Sequence, residues 1–86
     1  MDESKVIGNA IKTIRREKEL SQFSVAQRSG VNLSYYCKVE RGEANPSIRK
    51  LNAILRALGV SPVQFSELVV LETEYLLVSV YEQAAS

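Results

Sequence analysis

The chain has 86 residues, one cysteine, no histidine and a formal net charge of +1. This length suits one small domain, for which a single core provides only marginal stability, so a partner subunit would help. There is no apolar run of membrane-spanning length, and residues 1–10 are too polar and acidic for a secretory signal, which argues against membrane-spanning and exported classes. Because one cysteine cannot form an internal disulfide, we expect a cytoplasmic protein.

The charges are divided unevenly along the chain. Residues 1–60 contain all 11 lysines and arginines and 6 acidic residues, a net charge of +5, whereas residues 61–86 contain 4 acidic residues and no basic one, a net charge of −4. A basic segment of this kind is typical of nucleic-acid binding, although a chance distribution of surface charges would look the same. The small overall charge therefore hides a basic part and an acidic tail.

A first helix is predicted from near Ser4 to Glu19, because Ile7, Ile11 and Ile14 recur on one face at helical spacing. The other faces carry most of the charged residues of this segment. One apolar side of the helix is therefore expected to face the core.

The segment at residues 22–41, QFSVAQRSGVNLSYYCKVER, predicts a helix, a tight turn and a second helix. Ser21 and Asn32 are the predicted N-caps, since each side chain can accept a hydrogen bond from free backbone amides. Gly30 suits the corner, where a left-handed backbone is least costly without a Cβ. Ala26 is small enough to let the two helices approach closely. The outward face of the second helix carries Leu33, Ser34, Cys37, Lys38 and Arg41.

Two further helices follow this segment. A fourth helix is predicted over residues 48–58, capped by Ser47 and ended by Gly59. A fifth begins at Ser61 and Pro62, an N-cap followed by proline at the first helical position. The chain is thus predicted to be all-α, with five helices around one core. The apolar residues of the fourth helix that follow the helical period are Ile48, Leu51, Ile54, Leu55 and Leu58.

The apolar tail at residues 65–81, FSELVVLETEYLLVSVY, is compatible with two structures. It lacks glycine, proline and asparagine, which favours a continued helix, but its last part is rich in β-branched and aromatic residues and would also suit a strand. We favour the helix. The tail has more apolar surface than one small domain covers, which favours burial against another subunit; the alternative is that it folds back over its own core as a sixth helix.

The spacing Q-x-x-x-A-x-x-x-G-V-x-x-x-x-Y-x-x-V-E-R-G at residues 22–42 resembles the helix-turn-helix of the Cro/C1-type, or XRE-type, phage and bacterial repressors. The resemblance extends over roughly residues 5–68 and includes the flanking segments RREKELSQ and NPSIRKLNAILRALGVS. It implies a five-helix, lambda-repressor-like DNA-binding domain at residues 1–68. The apolar composition of the tail, rather than the resemblance, predicts a C-terminal dimerisation segment at residues 69–86. Tyr36 stands where isoleucine or valine is usual, so we expect the packing there to differ locally.

The resemblance also implies roles for individual side chains. The third helix would be the recognition helix, which enters the major groove of B-DNA and meets the base edges there. Lys38 would donate to guanine, Ser34 to a base or a phosphate, and Leu33 would touch a thymine methyl; the alternative is an ordinary solvated helix face. The candidate base-contacting residues are Asn32, Leu33, Ser34, Cys37, Lys38 and Arg41. The candidate phosphate-contacting residues are Gln22, Asn45, Ser47 and Arg49.

Arg15 and Glu40 match a charge pair that ties the first helix to the end of the recognition helix in relatives of this fold. We expect this pair to be structural and to set the angle at which the third helix is presented, since an exposed pair would contribute little. Cys37 also suggests a redox switch, but the chain has no second cysteine to resolve a sulfenic acid. We therefore interpret Cys37 as a small residue tolerated at the interface.

Enzymatic classes have little support, because the sequence has no histidine, no phosphate-binding glycine loop and no metal-ligand spacing. We expect no catalytic residues, cofactor, metal or small-molecule ligand. The leading interpretation is a homodimeric repressor or controller of bacterial or phage origin that binds a two-fold symmetric DNA operator. The competing one is an antitoxin or anti-regulator whose C-terminal segment binds another protein. The expected dimer interface comprises Val69, Val70, Tyr75, Leu77, Val80 and Tyr81.

Overall fold

The computed structural model describes residues 2–85, and it describes the side chains of all of these except residues 75–77, 79–81, 84 and 85. Residues 2–85 form five α-helices and no strand, which confirms the predicted all-α class. Among them no single helix is long and apolar enough to cross a membrane; only the fourth helix and residues 62–74 reach that composition together, with a bend of 100° between them. The helices are α1 (Glu3–Glu17), α2 (Gln22–Ser29), α3 (Leu33–Glu40), α4 (Ile48–Leu58) and α5 (Pro62–Ala85).

Side-chain caps start the helices where the sequence places them. Ser21, Asn32 and Ser47 each accept a hydrogen bond from the backbone N–H three residues later, at 3.0, 3.3 and 3.3 Å. Ser61 and Gln64 form a reciprocal pair, in which each side chain accepts from the backbone N–H of the other residue at 3.1 Å. These boundaries follow from local chemistry, which explains why they can be predicted from the sequence.

The first helix ends earlier than predicted. It runs from Glu3 to Glu17 rather than to Glu19, because Glu19 has a φ of 56°, a left-handed conformation through which a helix cannot continue. The backbone N–H of Leu20 then donates to the carbonyl of Arg15 at 3.1 Å. This turn returns Leu20 to the core and directs the chain into α2.

The core lies between α1 to α4 and the first turns of α5. Tyr36, Ile11 and Ile54 are completely inaccessible to solvent, so the unusual tyrosine lies wholly inside the protein. Ile48 shares the helical period of the apolar face of α4 but is 80% exposed. It is the first residue of α4, and because helical side chains point back towards the helix start, it has no preceding turn of its own helix to pack on. The other buried apolar residues are Val6, Ala10, Ile14, Val25, Ala26, Val39, Leu55, Leu58 and Phe65.

The C-terminal tail belongs to α5. This helix continues without a break from Pro62 to Ala85, so the tail is helical, as favoured, and does not fold back as a separate sixth helix. The lack of glycine, proline and asparagine in residues 65–81 accounts for the continuity. Phe65 is buried, and Leu68 and Val69 pack against the same core. On the outside of α5 the exposed apolar side chains are Val63, Val70, Leu71 and Val78.

Candidate nucleic-acid interface

A short corner at residues 30–32 joins α2 to α3. Gly30 has a φ of 72°, which a residue with a Cβ would adopt only with strain. The backbone N–H groups of Gly30 and Val31 donate to the carbonyls of Gln27 and Ala26 at 3.2 and 3.1 Å. Two carbonyls of the last turn of α2 are therefore satisfied, and the corner gives α3 a defined direction relative to α2.

The helix α3 has one buried face and one open face. Tyr36 and Val39 are fully buried, and Glu40 is 7% exposed. The opposite side combines hydroxyl and ammonium donors with one apolar side chain, Leu33, which is 41% exposed. A helix of this diameter fits the major groove with such a face against the base edges. Five of the six candidate base-contacting residues lie there: Leu33, Ser34, Lys38 and Arg41 are exposed, and Cys37 is half-buried. The sixth, Asn32, is also exposed but lies before the helix as its N-cap, where its Oδ1 accepts from the backbone N–H of Tyr35 at 3.3 Å.

Arg15 and Glu40 join α1 to the last turn of α3. Arg15 Nε donates to Glu40 Oε2 at 2.6 Å and Nη2 donates to Oε1 at 3.1 Å, so both carboxylate oxygens are bound. The remaining nitrogen, Nη1, donates to the carbonyl of Leu20 at 2.9 Å. The two side chains are only 12% and 2% exposed, so solvent and salt screen this pair far less than a surface pair.

The charges around this pair act on three titratable groups. Burial by itself would raise the pKa of Glu40, but hydrogen bonds, led by those from Arg15, outweigh it and lower that pKa below its ordinary 4.5. The hydrogen bond to Glu40 raises the pKa of Arg15 despite burial. Burial, followed by the neighbouring Glu40 carboxylate, raises the pKa of the Tyr36 hydroxyl well above its usual range. That hydroxyl is buried without a partner of hydrogen-bond geometry in the described part of the chain.

Gln22, the first residue of α2, faces the same carboxylate. Its Nε2 donates to Glu40 Oε1 at 3.0 Å, and its Oε1 accepts from Cys37 Sγ at 3.4 Å. Both ends of the amide are thus engaged within the protein, which leaves one Nε2 hydrogen for the phosphate contact expected of this residue. That contact stays a prediction, whereas the link between α2 and the open face of α3 is a feature of the fold.

The start of α4 adjoins the start of α3. Lys50 Nζ lies 4.5 Å from the centroid of the Tyr35 ring, a cation–π contact between the two helices. The candidate phosphate-contacting residues Asn45, Ser47 and Arg49 are exposed at this end of α4. Ser47 Oγ already accepts the capping hydrogen bond, so only its own hydroxyl hydrogen is available to a phosphate.

Sequence reasoning missed Tyr35 and Lys50 as members of this surface. Their contact joins residues of two different helices, so no local pattern shows it. The available signals were an aromatic residue beside the open face of α3 and a second basic residue next to Arg49. The pair places a positive charge over the first turn of α3.

Arg41, at the end of α3, forms the second Arg–Glu pair among the described residues. Its Nε donates to Glu43 Oε2 at 2.8 Å, and the two side chains are 56% and 57% exposed. Glu43 was not among the predicted site residues, because an acidic side chain is unexpected on a surface that meets phosphates. The exposure of this pair means that a ligand can reach it.

A groove of about 890 Å³ runs between the start of α1, the end of α3 and α5. Its lining mixes charges of both signs with Leu71, and Asn9 Nδ2 donates to Glu72 Oε2 across it at 3.3 Å. In the described part of the chain, no three His, Cys, Asp or Glu side chains are placed to hold a metal ion. The open face of α3 therefore remains the candidate site.

Comparison with known proteins places this site in a family. The family model described as "Helix-turn-helix" matches residues 11–65, which contain α2, α3 and α4. The uncharacterized HTH-type transcriptional regulator y4dJ of Sinorhizobium fredii (strain NBRC 101917 / NGR234) is 42% identical over 64 residues, 74% of this chain and 83% of the relative. The immunity repressor protein of Bacillus phage phi105 is 39% identical over 54 residues, 63% of this chain but 38% of the repressor.

Solved structures show the same architecture. The wild-type restriction-modification controller protein C.Esp1396I superimposes with a TM-score of 0.81 at 32% identity, covering 85% of this chain and 96% of the controller. The same controller bound to a 25 base pair operator site superimposes with a TM-score of 0.80. The family match over residues 11–65, the superposition of the fold and the Cro/C1-type spacing of residues 22–42 agree. The chain belongs to the helix-turn-helix family.

Proposed function

We propose that this protein is a sequence-specific DNA-binding regulator of transcription that acts as a homodimer on a two-fold symmetric operator. The observation that carries the proposal is the open face of α3, whose exposed polar and basic side chains lie opposite a face held to α1 by the Arg15–Glu40 pair. A helix held in this way can enter the major groove as a rigid element. As a repressor or controller it acts in the cytoplasm and catalyses no reaction.

The charge around α3 supports a polyanionic partner. Residues 20–66 contain six basic residues and two acidic ones, and one of the acidic residues, Glu40, is buried in an ion pair. Neutralisation of phosphates by such residues supplies most sequence-independent affinity and makes binding weaker as the salt concentration rises. We therefore expect binding to DNA to be strongly salt-dependent.

The exposed residues divide between base and phosphate contacts. Lys38 donates to guanine, Ser34 donates to a base or a phosphate, and Leu33 contacts a thymine methyl. The starts of α2 and α4 hold the sugar–phosphate backbone on either side of the recognition helix. The remaining assignments are Asn32, Cys37 and Arg41 to base edges, and Gln22, Asn45, Ser47 and Arg49 to phosphates.

The similar proteins support both parts of the proposal. The phage phi105 relative is described as an immunity repressor, and C.Esp1396I has been solved as a tetramer with its natural 35 base-pair operator. That tetramer complex covers 84% of this chain at a TM-score of 0.79. Operator binding by several copies of a chain with this fold is therefore a direct precedent.

The dimer is proposed to form through the outer stripe of α5, which we define as Val63, Val70, Leu71 and Val78. These side chains are 53–67% exposed and share one side of the helix. The exposed Glu67 and Glu74 lie on the same side, so the stripe is apolar with two carboxylates within it. Burial of exposed apolar surface against a second copy is favourable by roughly 25 cal/mol per Å². A stripe of this kind on both subunits suits a self-complementary two-fold interface.

The outer stripe differs in part from the interface expected from the sequence. Val70 lies on the stripe, whereas Val69 packs against the core of its own chain. The side chains of Tyr75, Leu77, Val80 and Tyr81 lie outside the described part, so their place in the interface stays a prediction. Because α5 runs unbroken through residues 68 and 69, dimerisation would use a helix shared with the DNA-binding domain rather than a separate segment.

Selection of bound duplexes from a random-sequence library tests the proposed function. The expected product is a short motif repeated with two-fold symmetry, with half-sites about 34 Å apart, one turn of B-DNA. Enrichment of no motif, with equal affinity for every duplex, would contradict sequence-specific regulation. A stoichiometric foreign protein bound to α5 after purification from the native cell would instead support the antitoxin or anti-regulator alternative.

A further inference from the structure

Glu43 is an isolated acidic residue on a basic surface. It is the only exposed acid in residues 20–66, since the other, Glu40, is buried beside Arg15. A carboxylate next to the recognition helix repels DNA phosphates and lowers affinity for every duplex. It lies one residue beyond Gly42, in the turn that follows α3.

The backbone holds Glu43 in a defined place. The N–H of Gly42 donates to the carbonyl of Val39 at 3.1 Å, and the N–H of Glu43 donates to the carbonyl of Lys38 at 2.9 Å. With Gly42 at a φ of 76°, these bonds form a Schellman motif at the end of α3. A Cβ on Gly42 would also overlap the backbone of Lys5, at 2.8 Å from its Cα, so this turn packs tightly against α1.

The carboxylate binds one particular edge of Arg41. Glu43 Oε2 accepts from Nε at 2.8 Å, and the structure shows no further hydrogen bond of this guanidinium within residues 2–85. An arginine has four more N–H groups on its two Nη atoms, and the edge that they form matches the O6 and N7 acceptors of guanine. The contact therefore restrains the side chain and leaves free the edge that binds guanine.

The charged residues near Arg41 and Glu43 form no ion pair with either of them within the described part of the chain. Arg41 lies on the open face with Ser34 and Lys38, because these positions are spaced by four and three residues. Asp2 and Lys5, at the start of α1, border the same groove, and within the described residues neither forms an ion pair with Arg41 or Glu43. The restraint on the guanidinium thus comes from Glu43.

We propose that Glu43 is a positioning residue for base recognition, which holds the Arg41 guanidinium so that its Nη edge meets a guanine in the major groove. The inference rests on the proposed DNA-binding function. An unrestrained arginine reaches several phosphate oxygens and binds all sequences alike. Glu43 therefore lowers sequence-independent affinity and raises discrimination at one base pair.

The variant Glu43→Gln separates these two effects, because they have opposite signs. The probes are a duplex selected by the wild-type protein, a set in which each guanine of that duplex is replaced in turn, and a shuffled duplex of the same composition. Discrimination at one guanine position is expected to fall about fivefold. Affinity for the shuffled duplex is expected to rise about threefold at low salt, because a negative charge is removed.

Two matched variants complete the experiment. Glu17→Gln makes the same change of charge about 18 Å further along α1 than Lys5, beyond the screening length of roughly 10 Å, and should change neither quantity. In an Arg41→Gln background, Glu43→Gln should cause no further loss of discrimination, because Glu43 acts through Arg41. Thermal unfolding should be unchanged in Glu43→Gln, since an exposed pair contributes little to stability.

Failure of the inference and failure of the proposed function give different results. A wild-type protein that binds the selected and shuffled duplexes equally well would overturn the proposed function. A wild-type protein that discriminates, with a Glu43→Gln variant that discriminates equally well, would overturn the positioning role alone. Equal weakening of Glu43→Gln on all duplexes, with a lower unfolding temperature, would also overturn it and assign Glu43 to the stability of the turn.

Discussion

The helices α3 and α5 each bury one face and leave the other open, but their open faces differ in chemistry. The open face of α3 presents hydroxyl, ammonium and guanidinium groups, whereas the outer stripe of α5 presents mainly valine and leucine side chains, with Glu67 and Glu74 on the same side. The open face of α3 is well solvated by itself and can exchange its counterions for a polyanion. The apolar side chains of the outer stripe lower the free energy when another apolar surface removes them from water. The two open faces therefore suit two different partners, DNA and a second copy of the chain.

The two helices also depend on the core to different extents. With eight residues, α3 is too short to be stable by itself, and it is held by Tyr36, Val39 and the Arg15–Glu40 pair. With 24 residues, α5 is long, and among its described side chains the ones that belong to the core, such as Phe65, lie in its first turns. Damage to the anchor of α3 should therefore affect folding, whereas damage to the outer stripe of α5 should affect assembly.

The largest effect is expected from Arg15→Ala. It leaves the buried Glu40 carboxylate without its partner, which typically costs about 3–5 kcal/mol of the free energy of unfolding. For a domain of this size the unfolding temperature should fall by roughly 12 °C or more. Thermal unfolding followed by circular dichroism measures the change, with Arg16→Ala, the exposed neighbour, as the matched control.

A double-mutant cycle sharpens this first prediction. The variant with both Arg15→Ala and Glu40→Ala should lose less stability than the two single losses added together, because each single change leaves one buried group unpaired. DNA binding should weaken in both single variants, since the pair joins α1 to the last turn of α3 and its loss is expected to change the angle of α3. Strict additivity of the two losses would show that the pair does not couple α1 to α3.

The next effect concerns assembly through α5. The variant with Val70→Glu and Leu71→Glu places charges on the outer stripe and should give a folded, helical monomer. Loss of the second half-site contact should weaken binding to the selected duplex by about 100-fold or more. Analytical ultracentrifugation and anisotropy titrations measure the two quantities, with Val70→Ile and Leu71→Met together as an apolar control. A glutamate variant that still sediments as a dimer at micromolar concentration would move the interface away from this stripe.

A smaller effect on binding should separate base contacts from phosphate contacts. Lys38→Ala should cost roughly 1–3 kcal/mol on the selected duplex and relax the preference at one base pair. Arg49→Ala should weaken binding to selected and shuffled duplexes alike and reduce the salt slope by about one unit. Titrations over a range of salt concentrations measure both. If neither change alters binding, the open face of α3 and the start of α4 are not the DNA-binding surface.

The anchor of α3 should also give stability a dependence on acid. Because the pKa of Glu40 is lowered in the folded state, its contribution is complete above the ordinary value of 4.5 and is lost as the pH falls through the lowered pKa. The difference in unfolding free energy between the wild-type protein and Glu40→Gln should therefore be constant near neutral pH and shrink below 4.5. Urea unfolding at a series of pH values tests this expectation. A difference that stays constant down to pH about 3 would contradict the lowered pKa.

The smallest effect is expected from Tyr36→Phe. The Tyr36 hydroxyl is buried without a partner of hydrogen-bond geometry among the described residues, so its removal takes away a desolvated group. It also removes a dipole that lowers the pKa of the nearby Glu40, and because these two effects oppose each other, stability should change by less than about 1 kcal/mol. A clear loss in thermal unfolding would show that the hydroxyl supports Glu40 in solution.

The local features of the chain were largely determined by sequence. Ser21, Asn32 and Ser47 cap their helices as predicted, because a side-chain oxygen needs only the amides of the next turn as partners. Gly30 forms the corner between α2 and α3 for a similarly local reason, its positive φ. The family followed from the same short-range spacing, since residue types at fixed intervals define the crossing of two helices.

The tertiary structure alone decided which side chains meet across helices. The packing of whole helices determines that Gln22 contacts Glu40 and Cys37 and that Lys50 contacts Tyr35. It also determines that, on α5, Val69 faces the core while Val70 is exposed. Periodicity shows which face of a helix is the more apolar. It does not give the distance between two helices or show which atoms of a side chain contact the rest of the protein. Those quantities are set by the packing of the shared core.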